Sequence, residues 1–261
     1  MSRAEGTGPA VRSFAGLAAV VALWWLAAAT VLSGARVPTP AGVATSMADD
    51  GWSFFWTHFS ITTQEAALGF LYGTVAAVAL ASVVLLLPFL EPLAMQVAVI
   101  SYCIPIVAIA PVLFIVIGVP DAGQPSGTAI ALAVLSVFFT TVVGTLLGLR
   151  SADRASLDVV SVYGGGRLAQ LRKVRIVAAL PAVLSSLQIA APAAFLGAIL
   201  GEYVGGVERG VGLALRIAQQ NVDVERAWAI GLVCALVVGA AYVAFGLVAR
   251  LVAPWSRGQS A

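Results

Sequence analysis

The sequence predicts an all-α polytopic membrane protein with six transmembrane helices, and three observations support this fold class. Of the 261 residues, 61% are hydrophobic and only 10% are charged, whereas soluble globular chains carry about 25% charged residues. The apolar residues fall into long runs, and about 20 such residues suffice to cross a hydrocarbon core of about 30 Å. One long polar segment, residues 150–175, interrupts these runs. A chain of this composition cannot cover its own surface with polar groups, which excludes a soluble domain.

The N-terminal region begins with a polar tail, residues 1–12, and continues with the first predicted span, residues 13–33. A cleavable signal peptide is the competing interpretation, because this run follows basic residues and ends in small ones. Signal peptides usually have an apolar core of about 7–15 residues, and this run is longer, which favours a retained span. Residues 34–64 are mixed polar and rich in aromatic side chains, which is typical of a short helix lying among lipid headgroups.

The other five spans are predicted from five further apolar runs. They cover residues 66–87, 93–119, 127–149, 176–201 and 227–249. Together with the first span they form one transmembrane domain, residues 13–255, followed by a second polar tail, residues 256–261. Residues 202–226 form an outer segment, within which residues 211–219 have helical spacing.

The third span carries two prolines, Pro105 and Pro111, six positions apart. Proline removes a backbone hydrogen bond and clashes with the preceding turn, so this helix is predicted to be kinked or locally unwound. In lipid such a break is tolerated where neighbouring helices or a water-filled path satisfy the freed carbonyl groups. A simple packing kink and a role in lining a transport pathway both remain open for these prolines.

Basic residues predict the orientation, because lysine and arginine are retained on the cytoplasmic side. With six spans, one face carries ten basic residues: Arg3, Arg12, Arg150, Arg154, Arg167, Arg172, Lys173, Arg175, Arg250 and Arg257. The other face carries four: Arg36, Arg209, Arg216 and Arg226. This bias predicts that both termini and the polar segment 150–175 lie in the cytoplasm.

Several kinds of chemistry are excluded by what the chain lacks. Lys173 is the only lysine and follows no glycine-rich phosphate loop, so we expect no ATP site and no catalytic residue in this chain. Cys103 and Cys234 both lie in apolar runs, and His58 has no cysteine or second histidine near it. We therefore predict no metal site and no cofactor, and we interpret His58 as an interfacial residue.

The sequence also argues against one class of membrane protein, the ion-coupled carriers. Ion-coupled carriers usually place acidic or basic residues inside their spans as coupling sites, and none lies near the centre of a predicted span. An ion-coupled secondary transporter is therefore disfavoured but remains the alternative. A membrane-embedded enzyme needs paired polar groups at one depth, and the sequence has no such pair.

The polar segment contains two stretches with helical character, residues 157–163 and 167–174, separated by three glycines, residues 164–166. Glycine permits a sharp reversal with positive φ. Two short helices joined in this way form a projection that fits a groove on a partner. The competing interpretation is a basic loop whose charges only set the topology.

This segment resembles the EAA loop of the permease subunits of bacterial ABC importers, whose pattern is E-A-A-x3-G-x9-I-x-L-P. Asp158 stands at the glutamate position, Gly164 at the glycine and Val174 at the isoleucine. The sequence AALP that ends at Pro181 matches the nitrate/sulfonate/taurine branch of the family, although valines replace both alanines and the first proline. The similarity extends over about residues 58–255 and includes IPIVAIAPVLF in the third span and LGEYVGGVERGVGLAL after the fifth.

The resemblance implies that residues 150–175 form a cytoplasmic coupling loop between spans four and five, which docks on a separate ATPase. The docking residues that it implies are Asp158, Gly164, Gly165, Arg167, Leu168, Leu171, Val174 and Pro181. The implied protein is the permease subunit of an ATP-driven ABC importer in the bacterial inner membrane. Its implied partners are an ABC ATP-binding subunit, a periplasmic or lipid-anchored substrate-binding protein, a second permease copy and membrane lipid, with no nucleic acid.

The resemblance further implies alternating access as the mechanism. It bounds the substrate to a small anionic or polar organic solute, of the class that includes sulfonates, taurine, nitrate and thiamine precursors. Arg209, Arg216 and Arg226 in the outer segment either attract an anion or pair with headgroups and acidic neighbours, and the sequence leaves both possibilities open.

Overall fold

The computed structural model describes residues 9–30 and 37–255, and within these ranges the chain consists of helices and turns, without strands. The α-helices in chain order are α1 Pro9–Ala29, α2 Pro40–Leu86, α3 Glu91–Cys103, α4 Ile106–Ile117, α5 Gly127–Arg150, α6 Arg154–Val162, α7 Arg167–Gln170, α8 Ile176–Val204, α9 Val211–Gln220 and α10 Val224–Val252. A 3₁₀ turn, Pro88–Leu90, precedes α3, and a π-helical turn, Leu171–Arg175, joins α7 to α8.

Within the part of the chain that the structure describes, four helices are long and apolar enough to cross a membrane. They are Pro40–Leu86, Gly127–Arg150, Arg167–Val204 and Val224–Val252. A fifth span results if the bent pair Pro88–Cys103 and Ile106–Ile117 is counted as one. The all-α membrane class is thus confirmed, whereas six spans were predicted. The difference is the first predicted span, because the apolar part of α1, Phe14–Ala29, is shorter than these helices.

Four predicted elements lie partly or wholly outside the described residues. They are the first tail at residues 1–8, the first predicted span at residues 31–33, the mixed polar segment at residues 34–36, and the whole tail 256–261.

The second span differs most from its prediction, because α2 begins at Pro40 and not near residue 66. The backbone departs from helical geometry at Gly51, where φ is +67°, and helix resumes through the aromatic segment that we assigned to the headgroup region. From Trp52 onward the sequence contains no proline before Pro88, so nothing in it stops the helix. The apolar run alone therefore understated the length of this helix.

The third predicted span is interrupted where the sequence suggested. Helix α3 ends at Cys103, Ile104 and Pro105 have extended backbones, and α4 begins at Ile106. The two helices meet at an angle of 95°. Pro111 lies within α4, which continues through it without a break, so only the first of the two prolines interrupts the helix.

The chain divides into two compact units. The described part of the first comprises residues up to Phe55 together with Leu215–Val233. Within this unit, the ring of Trp24 stacks on that of Trp228 with centroids 5.3 Å apart, and the indole of Trp24 donates a hydrogen bond to the carbonyl of Pro38. Arg226 forms a bidentate ion pair with the buried carboxylate of Asp50. Its guanidinium carbon also lies 5.5 Å from the centre of the Phe54 ring. This arginine of the outer segment is therefore paired with an acidic residue.

The second unit comprises Trp56–Ala214 and the chain from Cys234 onward, and α5 and α8 pack tightly within it. The contact is made by small residues, since a Cβ atom added at Gly197 would lie 2.7 Å from the carbonyl oxygen of Leu132. A Cβ added at Gly201 would meet the backbone of Ala129. Close backbone approach at small residues is how helices associate in lipid, where burial of apolar surface gives no advantage.

This packing predicts that Gly201→Val destabilises the protein, because the added side chain meets fixed backbone of α5. Overpacking of this kind costs about 1–3 kcal/mol and sometimes more. Gly239→Val is the matched control, because Gly239 lies in α10 with nothing within 4 Å of its added Cβ. Thermal unfolding in detergent should show a lower midpoint for Gly201→Val only. Equal midpoints for the two variants would contradict the packing argument.

Candidate functional site

The segment predicted to be the coupling loop, residues 150–175, contains one separate short helix, α6. The carboxylate of Asp153 starts it by accepting a hydrogen bond from the amide of Ser156 at 3.2 Å, which is a typical helix N-cap. At the C-terminal end of α6, the amide of Gly165 donates a hydrogen bond to the carbonyl of Val160 at 2.8 Å. Gly164 has φ +78°, the left-handed conformation that favours glycine at a helix end.

The second stretch of the loop differs from its prediction. Residues 167–174 do not form a separate short helix, because Arg167–Val204 runs as one helix of 38 residues with a π-helical turn inside it. The side-chain amide of Gln170 donates to the hydroxyl of Ser161 at 2.9 Å and to the carbonyl of Leu157 at 3.3 Å. The loop is therefore one short helix hydrogen-bonded to the first turns of a long one.

The predicted docking residues separate into exposed and covered groups. Asp158, Gly164, Arg167 and Leu168 are exposed, Gly165, Val174 and Pro181 are half-buried, and Leu171 is buried. Leu171 belongs to an apolar cluster with residues of α2, α3, α5 and α8. Leu171 thus anchors the loop to the transmembrane helices, whereas the exposed and the half-buried residues keep surface that a partner can reach.

An apolar patch covers the outer face of the loop. Val162 and Tyr163 are 85% and 87% exposed, and Val159 and Leu168 lie beside them with more than half of their surface exposed. Arg172 and Lys173 line an open groove next to Leu168. Large apolar side chains that are this exposed, on a polar loop between two spanning helices, are typical of a protein-interaction surface.

Three arginines attach the coupling loop to the ends of the transmembrane helices. Arg150 forms an ion pair with Glu91 at the start of α3. Arg167 donates to the carbonyl of Leu86 at 3.4 Å, and Arg175 donates to the carbonyl of Leu149 at 3.1 Å. The last two satisfy carbonyl groups at the C-terminal ends of α2 and α5, where a cation is favourable.

A cluster of buried carboxyl groups is the feature that the sequence analysis missed. Glu65 and Glu202 are 1% and 0% exposed, and they lie in the spanning helices Pro40–Leu86 and Arg167–Val204. The prediction that no charged residue lies near the centre of a predicted span did not cover these two glutamates, and their burial was not foreseen. The reason is positional, because the predicted spans began at residue 66 and ended at residue 201, one position away from each glutamate.

The cluster joins four helices through hydrogen bonds. Glu202 accepts from the hydroxyl of Thr62 at 2.5 Å through Oε1 and from the amide of Gly212 at 2.7 Å through Oε2. Glu65 accepts from the amide of Ser126 at 2.5 Å through Oε1. The two carboxyl groups interact with each other. Each thus covers the positive N-terminal end of a helix, α9 for Glu202 and α5 for Glu65.

His58 lies next to this cluster. Its Nδ1 atom is 2.9 Å from the carbonyl oxygen and 3.1 Å from the amide nitrogen of Gly210. Gly210 has φ +143° and leads directly into α9. Within residues 9–30 and 37–255, no group of three His, Cys, Asp or Glu side chains is arranged to hold a metal ion. The hydrogen bonds that Glu202 and His58 form with Gly212 and Gly210 fix the start of α9.

The family model and the individual relatives that match this chain agree in describing transport proteins of the inner membrane or permeases. Residues 69–258 match the model of the family described as binding-protein-dependent transport system inner membrane component. The chain is 35% identical over 177 residues to a probable ABC transporter permease protein of Haemophilus influenzae, covering 65% of this chain and 67% of the relative.

Two further relatives cover more of the chain. The chain is 24% identical over 240 residues to the formylaminopyrimidine transport permease protein ThiX of Halalkalibacterium halodurans, covering 92% of this chain and 94% of the relative. It is 26% identical over 234 residues to the putative aliphatic sulfonates transport permease protein SsuC of Bacillus subtilis, covering 85% and 79%.

Proposed function

Because this chain belongs to the family of binding-protein-dependent transport system inner membrane components, we propose that it is the permease subunit of an ATP-driven ABC importer. It moves a small solute inward across the bacterial inner membrane. The single observation that carries this proposal is the coupling loop, where α6 projects between α5 and α8 with an apolar outer face. A surface of this kind needs a protein partner, and the chain's sequence contains no ATP site of its own.

The docking surface in this proposal is formed mainly by the exposed loop residues. Asp158, Gly164, Arg167 and Leu168 contact the ATP-binding subunit, together with the apolar patch around Tyr163. The half-buried residues Gly165, Val174 and Pro181 belong to the same docking surface, and the buried Leu171 holds it in place from beneath. ATP hydrolysis belongs to the partner, and this subunit is not an enzyme.

The mechanism that we propose is alternating access. Closure of two ATPase subunits displaces the coupling loop of each permease copy in a homodimer, and the attached helices rock between inward-open and outward-open states. The broken helix pair around Pro105 supplies a bend at which such a motion is accommodated, and Pro111 lies on the same segment. A periplasmic or lipid-anchored binding protein delivers the solute.

In this proposal α1 is the first of six spans and the bent pair α3–α4 is the third. Both termini and the coupling loop then lie in the cytoplasm, in agreement with the ten basic residues of that face. We propose a small anionic or polar organic solute as substrate. Relatives that cover most of the chain are named for formylaminopyrimidine and for aliphatic sulfonates, which are small polar organic molecules.

An ion-coupled secondary transporter is the second candidate, and one observation favours it. Glu65 and Glu202 are adjacent acids buried inside spanning helices, as in carriers that couple transport to protons or sodium. Both acids, however, are hydrogen-bonded to helix N-termini, which gives them a structural role. The ABC importer therefore remains the better supported function.

Reconstitution tests the proposal directly. The chain is placed in proteoliposomes alone, or with an ATP-binding subunit and a substrate-binding protein from the same genome, and candidate solutes are chosen by binding to that binding protein. We expect uptake that requires ATP and the complete complex, and that is lost when the P-loop lysine of the ATPase is replaced. Uptake by the chain alone along a proton or sodium gradient would favour the secondary transporter.

A further inference from the structure

The turn between α2 and α3, residues 86–91, is held by both arms of the coupling loop. Arg150, at the beginning of the loop, forms an ion pair with Glu91. Arg167, beyond the glycine turn, donates to the carbonyl of Leu86. These two contacts lie on opposite sides of the 3₁₀ turn Pro88–Leu90. A displacement of the loop therefore acts on this turn from two points.

Stability does not account for the ion pair. The side chains of Arg150 and Glu91 are 48% and 34% exposed, and exposed ion pairs contribute little to folding because water and salt screen them. The apolar cluster beneath, which contains Leu171 with Ala94 and Ala98 of α3, is where burial stabilises this end of the protein. The ion pair instead fixes the start of α3 relative to the loop.

Helix α3 links this contact to the break in the third span. It begins at Glu91 and ends at Cys103, immediately before the interruption at Ile104 and Pro105. The ring of Tyr102 stacks on Phe139 of α5 with centroids 4.6 Å apart. Helix α3 is thus an uninterrupted helix with one end in contact with residue 150 of the coupling loop and the other at the 95° bend.

We propose that Glu91 and Arg150 are positioning residues for energy coupling, which carry the displacement of the coupling loop through α3 to the bend at Pro105. This inference rests on the proposed function, since it requires an ATPase that moves the loop. Arg167 supports the same turn through the carbonyl of Leu86. Leu171 keeps the loop attached to the cluster while the turn moves.

The test follows a spin label on Cys103, which is exposed at the end of α3, in a Cys234→Ser background. The permease is purified in complex with an ATPase variant that binds ATP without hydrolysing it. In the unmodified permease, ATP should change the spectrum of the label. In Glu91→Gln, we expect the ATPase to bind equally well and at least half of the ATP-dependent change to be lost.

Exchanging the two charges tests whether the ion pair itself, and not a general disturbance of the fold, accounts for the lost response. The double variant Glu91→Arg, Arg150→Glu should restore the ATP-dependent change. Glu208→Gln removes the same charge from an exposed position in the outer segment and should leave the change intact. A full response in Glu91→Gln, or no recovery in the double variant, would overturn the inference.

The same experiment distinguishes this inference from the function on which it rests. If the ATPase does not bind the unmodified permease, the proposed function fails, and the inference fails with it. If the ATPase binds and Glu91→Gln responds fully to ATP, the inference alone is overturned.

Discussion

Replacing Glu202 by leucine is expected to prevent the accumulation of folded protein. The carboxylate accepts hydrogen bonds from Thr62 and from the amide of Gly212 in a fully buried position. Leucine is similar in size but accepts neither. The amide of Gly212 is then left without an acceptor, which costs about 1–3 kcal/mol, whereas the hydroxyl of Thr62 still has the carbonyl of His58 within 3.1 Å. Against a total stability of about 5–15 kcal/mol, this loss populates unfolded protein that is removed in the cell.

Glu65→Gln is the matched control in the same cluster. The amide oxygen still accepts from the amide of Ser126, and glutamine removes the second ionisable carboxyl group beside Glu202, because two adjacent buried carboxyl groups cannot both be ionised without a large cost. We expect its yield and thermal midpoint in detergent, measured by fluorescence-detected gel filtration, to equal or exceed those of the unmodified protein. A Glu202→Leu protein with an unchanged midpoint would show that these hydrogen bonds do not support the fold.

The parts of the fold that depend on local chemistry could be predicted from the sequence. The helical membrane class follows from long apolar runs, and the interruption at Pro105 follows from the missing amide of proline. The turn at Gly164 is equally local, because positive φ there requires glycine or a residue that tolerates it. Each of these features depends on a few neighbouring residues in the chain.

Features that depend on distant contacts could not be predicted. Glu65 lies 137 positions from Glu202 in the chain, and nothing in a single sequence pairs them. One local pattern in the sequence could have indicated a buried polar cluster. Thr62 and Glu65 are three positions apart on one helical face, directly before an apolar run. The ion pair of Arg150 with Glu91 also joins residues that are distant in the chain, so it could not be predicted either. A basic residue at a span end predicts topology and does not indicate its partner.

The second large effect is expected at Gly164, where valine should weaken binding of the ATPase at least tenfold and leave the transmembrane helices intact. Gly164 has φ +78°, and no atom lies within 4 Å of an added Cβ. The cost therefore comes only from the backbone, where a β-branched residue in this conformation is strained by about 1–3 kcal/mol. The strain is relieved by reshaping the turn, which displaces Tyr163 and α6 from the docking surface.

Gly166 supplies the control for this prediction, because its added Cβ also meets nothing within 4 Å but its φ is −78°. Gly166→Val should therefore retain the ATPase, and Gly164→Asn should fall between the two because asparagine tolerates positive φ. Co-purification of the ATPase with the tagged permease measures the effect, and we expect at least a tenfold loss for Gly164→Val at an unchanged yield of permease. If the two valine variants bind the ATPase equally, the conformation of this turn does not determine docking, and the apolar patch around Tyr163 must bind in another way.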